Sequence, residues 1–300
     1  MKDIFAIIVT YNPDLPVLRD QLRALEGLGG VILIDNCSNN VDGILALTKE
    51  NFRIRFEIVR NTSNVGLAFA QNQGINKARE IGAEHVILFD QDSIPEPGMI
   101  EQLLASEKKI LMAGQKVAAV GPVTYDPDTN HEYPITRYRG PLIQRYFTQP
   151  HEIAEASFII ASGSLIRMEI LDKVGGMLDP LFIDYIDVEW CYRVQSLGYR
   201  LYVAADARMS HRVGDKRVKF FGRSISQHSP LRRYYLTRNS LYVLRLPHIP
   251  FGYKLREVSL NFARFVAFLY FSNERRRYLK YVTKAVIDGL RGNYGKIKEV

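Results

Sequence analysis

The sequence predicts an α/β protein with a mostly parallel central sheet, helices on its faces and a helical C-terminal extension. Two observations support this prediction. Apolar runs rich in β-branched residues recur along the chain, for example Ile4–Thr10 and Val86–Phe89, and each ends at polar or turn-forming residues. Such uninterrupted runs are typical of parallel strands buried on both faces. Segments with apolar residues at helical spacing lie between them, and this alternation predicts βαβ units.

The first βαβ unit can be followed residue by residue. The strand Ile4–Thr10 is broken by Tyr11–Pro13, and Asp14 then suits the N-cap of a helix with leucines at helical spacing. The second strand, Val31–Ile34, is followed by a polar stretch that begins at Asp35. A right-handed crossover brings both strand ends to one edge of the sheet. The residues expected to meet at that edge are Thr10, Asn12 and Asp35.

The remaining elements follow from the same patterns. They are a strand at Phe56–Val59, a helix at Leu67–Ile81 that ends at Gly82, a strand at Val86–Phe89, a helix at Pro97–Lys108, strands at Val117–Pro122 and Phe158–Ile166, and an edge strand at Tyr199–Ala205. The segment Tyr125–Ile153 has little apolar periodicity and predicts a long surface excursion. We expect one main domain over residues 1–240 and a helical region over residues 241–300.

Asp90 directly follows the run Val86–Phe89 and Asp92 comes two positions later, and Ser93 and Pro95 are expected to prevent this strand from continuing. Ligands of open α/β sheets bind at the carboxyl ends of strands, and alternate residues of an extended chain point the same way. Two carboxylates with open positions suit Mg²⁺ or Mn²⁺ held together with a phosphorylated substrate. An Asx turn at a strand end would explain the pattern without a metal.

Composition limits the class of protein. A chain of 300 residues with 47% hydrophobic and 24% charged residues is typical of one large folded domain with an appendage. Cys37 and Cys191 are the only cysteines, which predicts a reducing compartment. No signal peptide or apolar span of about 20 residues is evident, so we expect a cytoplasmic protein.

The net charge of +8 is unevenly distributed along the chain. Residues 208–300 carry 21 Lys and Arg against 5 Asp and Glu, which indicates contact with an anionic surface.

Four motifs occur in a fixed order in the N-terminal part: IIVTYNP, LIDNCS, NVGLAFAQNQGI and LFDQDS. Together they resemble the N-terminal half of GT-A-fold glycosyltransferases of family 2, and the resemblance extends over about residues 3–240. It implies a nucleotide-binding half at about 1–122, an acceptor half at about 123–240, and a diphosphate-bound metal on Asp90 and Asp92. The residues implied for the nucleotide site are Thr10, Tyr11, Asn12, Asp35, Asn64, Gly66, Asn72, Asp90 and Gln91. The variants AQNQGI and DQDS are most similar to bacterial rhamnosyltransferases that use a dTDP-linked sugar.

A second acidic cluster, Leu181–Arg193, contains Asp184, Asp187 and Glu189. If a helix begins near Asp187, the helix dipole favours acidic residues in its first turn, which would be a purely structural role. The family resemblance instead places Asp187 at the position of the base that takes the proton of the acceptor hydroxyl. Because Ile186 stands where the family has an acidic residue, Asp184 is a second candidate.

The resemblance implies further site residues towards the C-terminus. His211, in a predicted loop at Met209–Gly214, is implied as a third metal ligand. The basic, glycine-containing segment Asp215–Ser229 is predicted to be a mobile loop that closes over the diphosphate. The segment RRYYLTRN, similar to that of rhamnosyltransferases, is predicted to be helical, with Arg232 and Arg233 on the pyrophosphate. A solvated basic face is the alternative.

The C-terminal tail combines the apolar stretch VSLNFARFVAFLYF with a basic cluster at Arg275–Arg277. At helical spacing this pattern predicts an interfacial helix that binds anionic lipid without spanning the bilayer. We therefore expect a peripheral protein on the inner face of the cell membrane. A helix packed on the catalytic domain, or on a second subunit in a homodimer, would give the same pattern.

These expectations describe an inverting, metal-dependent transfer of L-rhamnose from dTDP-β-L-rhamnose to a hydroxyl of a lipid-linked glycan, in the synthesis of surface polysaccharide or lipopolysaccharide. Another donor, such as UDP-glucose or UDP-galactose, would keep the same fold. A dinucleotide-binding Rossmann protein or a sugar-phosphate nucleotidyltransferase would need a Gly-rich loop where this sequence reads YNPD. A module that binds nucleic acid through the basic C-terminal third of the chain would leave the acidic residues of the predicted site without a function. We therefore expect no nucleic acid partner.

Overall fold

A nine-stranded mixed sheet organises the computed structural model, which describes residues 1–212, 217–220, 223–226, 229–271 and 274–298. The strands, in chain order, are β1 (Ile4–Thr10), β2 (Gly30–Asp35), β3 (Phe56–Arg60), β4 (His85–Asp90), β5 (Ser93–Pro95), β6 (Val117–Tyr125), β7 (Ile135–Arg139), β8 (Leu142–Tyr146), β9 (Ile153–Ala156), β10 (Leu165–Arg167), β11 (Arg200–His211), β12 (Arg217–Phe220) and β13 (Arg223–Ser226). The sheet has the order β3-β2-β1-β4-β10-β6-β11-β5, and β9 also pairs with β11.

Helices cover both faces of this sheet. They are α1 (Leu15–Ala24), α2 (Val41–Leu47), α3 (Leu67–Glu80), α4 (Met99–Met112), α5 (Met168–Val174), α6 (Ile186–Ser196), α7 (Pro230–Val243), α8 (Phe251–Phe271) and α9 (Arg275–Arg291), and a 3₁₀ turn covers Asp179–Leu181. One apolar core contains buried residues of α1, α2 and α4, and a second contains those of α3, α5 and α6. Because every residue of β1 and β2 is buried, these strands need apolar side chains on both faces.

The predicted βαβ unit is confirmed. β1 pairs in parallel with β2 and β4, and the register places Thr10 opposite Asp35 and Val9 opposite Asp90. Asp14 caps α1 through its side chain, which accepts the N–H of Val17 at 3.4 Å. The carboxyl ends of three parallel strands therefore lie at one edge of the sheet.

The strand that starts near Val86 ends at Asp90, as predicted, and Ser93–Pro95 forms a separate short strand, β5, antiparallel to the end of β11. Two local predictions are wrong. β11 is not an edge strand, since it runs on to His211 with β6 on one side and β5 and β9 on the other. In Phe158–Ile166 only the last residues are in a strand, because Gly163 turns the chain with φ = 81°.

Two regions have more structure than the sequence predicted. Helix α2 follows the polar stretch after β2, and the predicted surface excursion contains the hairpin β7–β8. Turn-rich segments give weak periodicity, so neither element was visible as a pattern.

The C-terminal helices pack on one another and on the domain. The Tyr234 hydroxyl of α7 donates to Asp288 Oδ2 of α9 at 2.7 Å, and the predicted boundary at residue 240 lies inside α7. Within the described ranges, none of the helices has the length and apolar character that a membrane crossing requires.

Candidate active site

Hydrogen bonds tie together the ends of β1 and β2. The Thr10 hydroxyl donates to Asp35 Oδ1 at 3.2 Å, and Asp35 Oδ2 accepts the N–H of Ser38 at 3.2 Å. Both Thr10 and Asp35 are almost completely buried. Since each carboxylate oxygen of Asp35 accepts a hydrogen bond, this side chain has a fixed orientation at the strand ends.

Tyr11 and Asn12 continue this edge. The Tyr11 N–H donates to Gln91 Oε1 at 2.7 Å, and Gln91 Nε2 donates to the Tyr11 carbonyl at 3.3 Å. Asn12 has φ = 51°, a left-handed conformation that asparagine tolerates, and its Oδ1 accepts the Asn39 N–H at 2.7 Å. The Tyr11 side chain is 49% exposed, so its ring is accessible to a ligand at this edge.

A set of amides connects β2 to the start of α3. Asn36 Oδ1 accepts the N–H of Val65 at 3.0 Å, and Asn36 Nδ2 donates to Asn64 Oδ1 at 3.1 Å. Asn64 Oδ1 also accepts the N–H of Gly66 at 3.0 Å. Gly66 has φ = 92°, and a Cβ there would lie 2.5 Å from the Phe182 ring. Both the backbone conformation and the close approach therefore require glycine.

Asn72 has a different environment from the other predicted nucleotide residues. Its Oδ1 accepts the Met177 N–H at 2.8 Å, and its Nδ2 donates to the Met177 carbonyl at 2.8 Å and to Asp179 Oδ1 at 2.6 Å. The amide thus fastens α3 to the segment before α6. The structure does not place it in the hydrogen-bonded set formed by Thr10 and Asp35.

Asp90, Asp92 and His211 converge where β4 ends and β11 ends. Each offers one ligand atom, and these atoms all lie within 4.8 Å of one another. His211 Nδ1 is 3.7 Å from Asp92 Oδ1 and 2.8 Å from Ser93 Oγ. Burial raises the pKa of Asp90, which Asp92 also raises, while His211 and Arg232 act in the opposite direction. Two carboxylates and an imidazole fit Mn²⁺ or Mg²⁺, and a cation there would offset the repulsion between the carboxylates.

Three polar residues that were not predicted in the site support this group. Ser162 Oγ accepts the Asp90 N–H at 3.0 Å and donates to Ser93 Oγ at 2.8 Å. Gln21 Nε2 donates to the carbonyls of Asp90 at 2.7 Å and Ser93 at 2.6 Å. Gln21 is fully buried on α1, so a glutamine inside the leucine stripe was a detectable signal.

Asp187 lies in the first turn of α6, so the predicted helix start is confirmed. Burial raises the pKa of this carboxyl to about 7, its hydrogen bond from the Val188 N–H at 2.9 Å lowers the pKa, and the charges of Asp90 and Asp184 raise it. Since the charge of Asp90 contributes to the raised pKa of Asp187, the two carboxyls interact electrostatically. This carboxyl is therefore suited to exchange a proton near neutral pH.

The two arginines that were predicted to contact the pyrophosphate lie in different environments, and Asp184 pairs with Arg232. Arg232 Nη2 lies 3.1 Å from Asp184 Oδ1, and the charge of Arg232 also acts on Asp90. Arg233 is only 2% exposed, and its Nη2 donates to Asn261 Oδ1 on α8 at 3.3 Å. Successive helical residues point about 100° apart, so only Arg232 faces the carboxylates and Arg233 does not.

The predicted closing loop lies only partly within the structure. Its segments Arg217–Phe220 and Arg223–Ser226 pair as the hairpin β12–β13. Residues 215–216, 221–222 and 227–228 of this segment lie outside the described residues, so closure over a ligand stays a prediction.

Comparison with known proteins identifies the family of this chain. Residues 5–175 match the model of the family described as Glycosyl transferase family 2. The chain is 34% identical over 299 residues to the dTDP-rhamnosyl transferase RfbF of Shigella flexneri, an alignment that covers 98% of this chain and 97% of RfbF.

Solved structures agree on the fold. S. aureus TarS 1–349 in complex with UDP-GlcNAc has a TM-score of 0.55 and 14% identity, covering 95% of this chain and 81% of TarS 1–349. The mannosyltransferase PcManGT from Pyrobaculum calidifontis, in complex with GDP-Man and Mn²⁺, has a TM-score of 0.55 and 14% identity, covering 97% of this chain and 86% of PcManGT. The fold is GT-A, and the chain belongs to glycosyl transferase family 2.

Proposed function

We propose that this protein transfers L-rhamnose from dTDP-β-L-rhamnose to a hydroxyl group of a glycan acceptor. The observation that carries the proposal is the metal-type group formed by Asp90, Asp92 and His211, together with the carboxyl of Asp187, whose pKa is raised by burial and by the charge of Asp90. The full-length relative RfbF, a dTDP-rhamnosyl transferase, supports the choice of donor.

A divalent cation fits the donor set of this site. Asp90, Asp92 and His211 would hold Mn²⁺ or Mg²⁺, and such an ion supplies positive charge to the diphosphate as the nucleotide leaves. Gln21, Ser93 and Ser162 would keep these ligands in place through the hydrogen bonds described above. Thr10, Tyr11, Asn12, Asp35, Asn64, Gly66 and Gln91 would form the nucleotide edge.

In this proposal Asp187 is the general base. Its carboxylate accepts the proton of the acceptor hydroxyl while that oxygen bonds to the anomeric carbon, and the bond from the anomeric carbon to the diphosphate breaks. A single displacement inverts the anomeric centre, so a β-linked donor gives an α-L-rhamnoside. Asp184 is less suited to the role, because it is ion-paired with Arg232. The guanidinium of Arg232 would also contact the diphosphate.

The proposed acceptor is lipid-linked, and the site of action is the inner face of the cell membrane. One side of α8 exposes five large apolar residues, 47% to 78% accessible, that recur every three or four positions. We call them the α8 stripe: Phe251, Leu255, Val258, Phe262 and Val266. Exposed basic residues follow at the start of α9. An apolar stripe beside positive charge is typical of helices that lie on anionic bilayers.

Calorimetric titration tests the donor and the metal together. The purified protein is titrated with dTDP-L-rhamnose, dTDP and UDP-glucose, each with and without Mn²⁺, and Asp92→Asn serves as the site variant. We expect metal-dependent binding of both dTDP compounds that Asp92→Asn removes. Preference for UDP-glucose would overturn the donor, and absence of binding to every nucleotide would overturn the proposed function.

A further inference from the structure

A short segment before α6, which we call the bridging loop (residues 181–185), has an uncommon backbone. Phe182 has φ = 64° and ψ = −60°, and the Ile183 N–H donates to the Leu181 carbonyl at 2.7 Å. These values describe a classic γ-turn, a rare and strained conformation. Asp184 and Tyr185 also have positive φ, of 64° and 66°. Non-glycine residues persist in such conformations only where the surroundings hold them.

The bridging loop connects parts of the site that come from distant stretches of the chain. The Phe182 carbonyl accepts the N–H of Leu67 at 2.6 Å and the N–H of Ala68 at 3.4 Å, at the first turn of α3. Asp184 of the same loop is the partner of Arg232. Tyr185 directly precedes α6 and its first-turn residue Asp187. A shift of this loop would therefore move the nucleotide edge and the proposed base relative to each other.

The side chain of Asn239, on α7, binds this loop. It is fully buried, and its Nδ2 donates to the carbonyls of Leu181 at 2.7 Å, Ile183 at 2.7 Å and Asp184 at 3.2 Å. Three carbonyl groups that the strained backbone turns in the same direction thus share one amide. The Leu181 carbonyl also accepts the Ile183 N–H and Arg238 Nη2, but loss of this amide would take a donor from the partly buried carbonyls of Ile183 and Asp184, which is costly.

Arg238 fixes the orientation of that amide. Its Nε and Nη2 donate to Asn239 Oδ1 at 3.0 Å and 2.8 Å, so the opposite atom, Nδ2, must face the loop carbonyls. The guanidinium is itself buried, lies 5.0 Å from the ring centre of Tyr235, and donates to the Leu181 carbonyl at 3.2 Å. Arg238 and Asn239, the last two residues of the RRYYLTRN segment, therefore form hydrogen bonds within the protein.

We propose that Asn239 is a positioning residue for the transfer reaction: its amide holds the bridging loop so that Asp187 and Asp184 keep their places beside the metal-type group. The proposal rests on the proposed function for its catalytic consequence, whereas the effect on the loop itself is independent of substrate. Asn239 has no direct role in proton transfer, because its polar atoms are occupied by the loop and by Arg238.

Asn239→Ala and Asn239→Asp test the proposal, with Ser240→Ala as the matched control. Asn239→Asp keeps the shape but places acceptor oxygens against three carbonyls. Ser240 is its equally buried neighbour, and its hydroxyl donates only within α7, to the Thr237 carbonyl at 2.7 Å. The measurements are hydrogen–deuterium exchange of residues 66–68 and 181–186 without ligand, dTDP affinity with Mn²⁺, and the kcat and KM of dTDP release from dTDP-L-rhamnose.

We expect faster exchange in these two segments, kcat reduced roughly 10- to 100-fold, and a KM and dTDP affinity within about threefold of the unmodified protein. Ser240→Ala should change none of these values. Unchanged exchange in both Asn239 variants would overturn the proposal, as would equal losses of kcat and dTDP affinity, which indicate general destabilisation. If the unmodified protein releases no dTDP, the proposed function fails, and the exchange data alone decide whether Asn239 holds the loop.

Discussion

Among single residues, Asp187 most directly connects environment with chemistry. A carboxyl that is taken out of water and placed near two other acidic side chains is stabilised in its protonated form. The same environment that suits a general base also destabilises the folded protein once the carboxyl ionises. Stability therefore favours a neutral side chain at this position, whereas catalysis requires a carboxyl that can ionise, and such conflicts are common at active sites.

Asp187→Asn separates these two demands. The folded-state pKa, about 7, lies above the usual value of 3.8, so the folded protein loses stability as the pH rises between these values and the full cost is present above pH 7. Asparagine remains neutral and can still accept the Val188 N–H. We expect a gain on the order of 2–4 kcal/mol at pH 8 that disappears below about pH 4, together with a loss of transfer of at least about 100-fold. Thermal unfolding without metal at pH 4 and pH 8 checks the first, and an equal difference at both pH values would contradict it.

Gln21 shows how a residue far from any motif supports the site. Its side-chain amide holds the carbonyls of Asp90 and Ser93, which border the turn that carries Asp92. Gln21→Met keeps a similar shape but removes this donor and leaves buried carbonyls unpaired. We expect a loss of about 1–3 kcal/mol in the free energy of unfolding and weaker Mn²⁺ binding in titration. Unchanged Mn²⁺ affinity in a destabilised variant would show that the amide serves stability alone.

At the scale of secondary structure elements, the start of α3 depends on a glycine whose replacement can be compared with a control. Gly66→Ala must place a Cβ at 2.5 Å from the Phe182 ring with φ = 92°, whereas Gly82→Ala, with φ = 76° just after α3, has open space around it. We expect about 1 kcal/mol of destabilisation for Gly82→Ala and at least about 2 kcal/mol more for Gly66→Ala. Urea unfolding measures both, and equal losses would mean that the packing against Phe182 has no role.

The elements that the sequence predicted correctly are those with a repeating pattern. β1, β2 and β4 are uninterrupted apolar runs, and their parallel pairing followed from the helices between them. The pairing of β5 with β11 joins residues more than a hundred positions apart and leaves no local signal. The same holds for the bridging loop, where Phe182 and Asp184 have positive φ and tertiary hydrogen bonds, such as those from Asn239 to the Ile183 and Asp184 carbonyls, override local preferences.

The residues of the candidate site also differ in how far the sequence alone could place them. Strand-end residues such as Asp90 and Asp35 could be placed on one edge from the sheet rules alone. Which of two neighbouring arginines faces the carboxylates depends on the rotation of α7 against α8, which is set by packing. Sequence spacing gives the angle between Arg232 and Arg233 but not the direction of either side chain.

At the scale of the whole molecule, charge and apolar surface are concentrated at the C-terminal end. The α8 stripe lies on the side of the helix opposite Glu257, whose carboxylate accepts a hydrogen bond from the Tyr185 hydroxyl of the bridging loop. The surface proposed to meet the membrane is therefore one helix thickness from the segment that precedes Asp187. Two copies of this chain facing each other through their basic regions would repel, whereas an anionic bilayer would attract them.

Vesicle sedimentation tests whether the α8 stripe binds an anionic bilayer or a second copy of the chain. Leu255→Glu with Phe262→Glu places two negative charges on the stripe, and Met112→Glu, at a 78% exposed position at the end of α4, is the matched control. We expect the unmodified protein and Met112→Glu to bind vesicles rich in phosphatidylglycerol, less so in high salt because exposed charges are screened. The double variant should lose vesicle binding roughly tenfold or more, since burial of each of these apolar side chains in the bilayer would contribute about 1.5–3 kcal/mol to binding. Absence of vesicle binding by the unmodified protein, with a dimer that the double variant dissociates, would instead assign the stripe to a second copy of the chain.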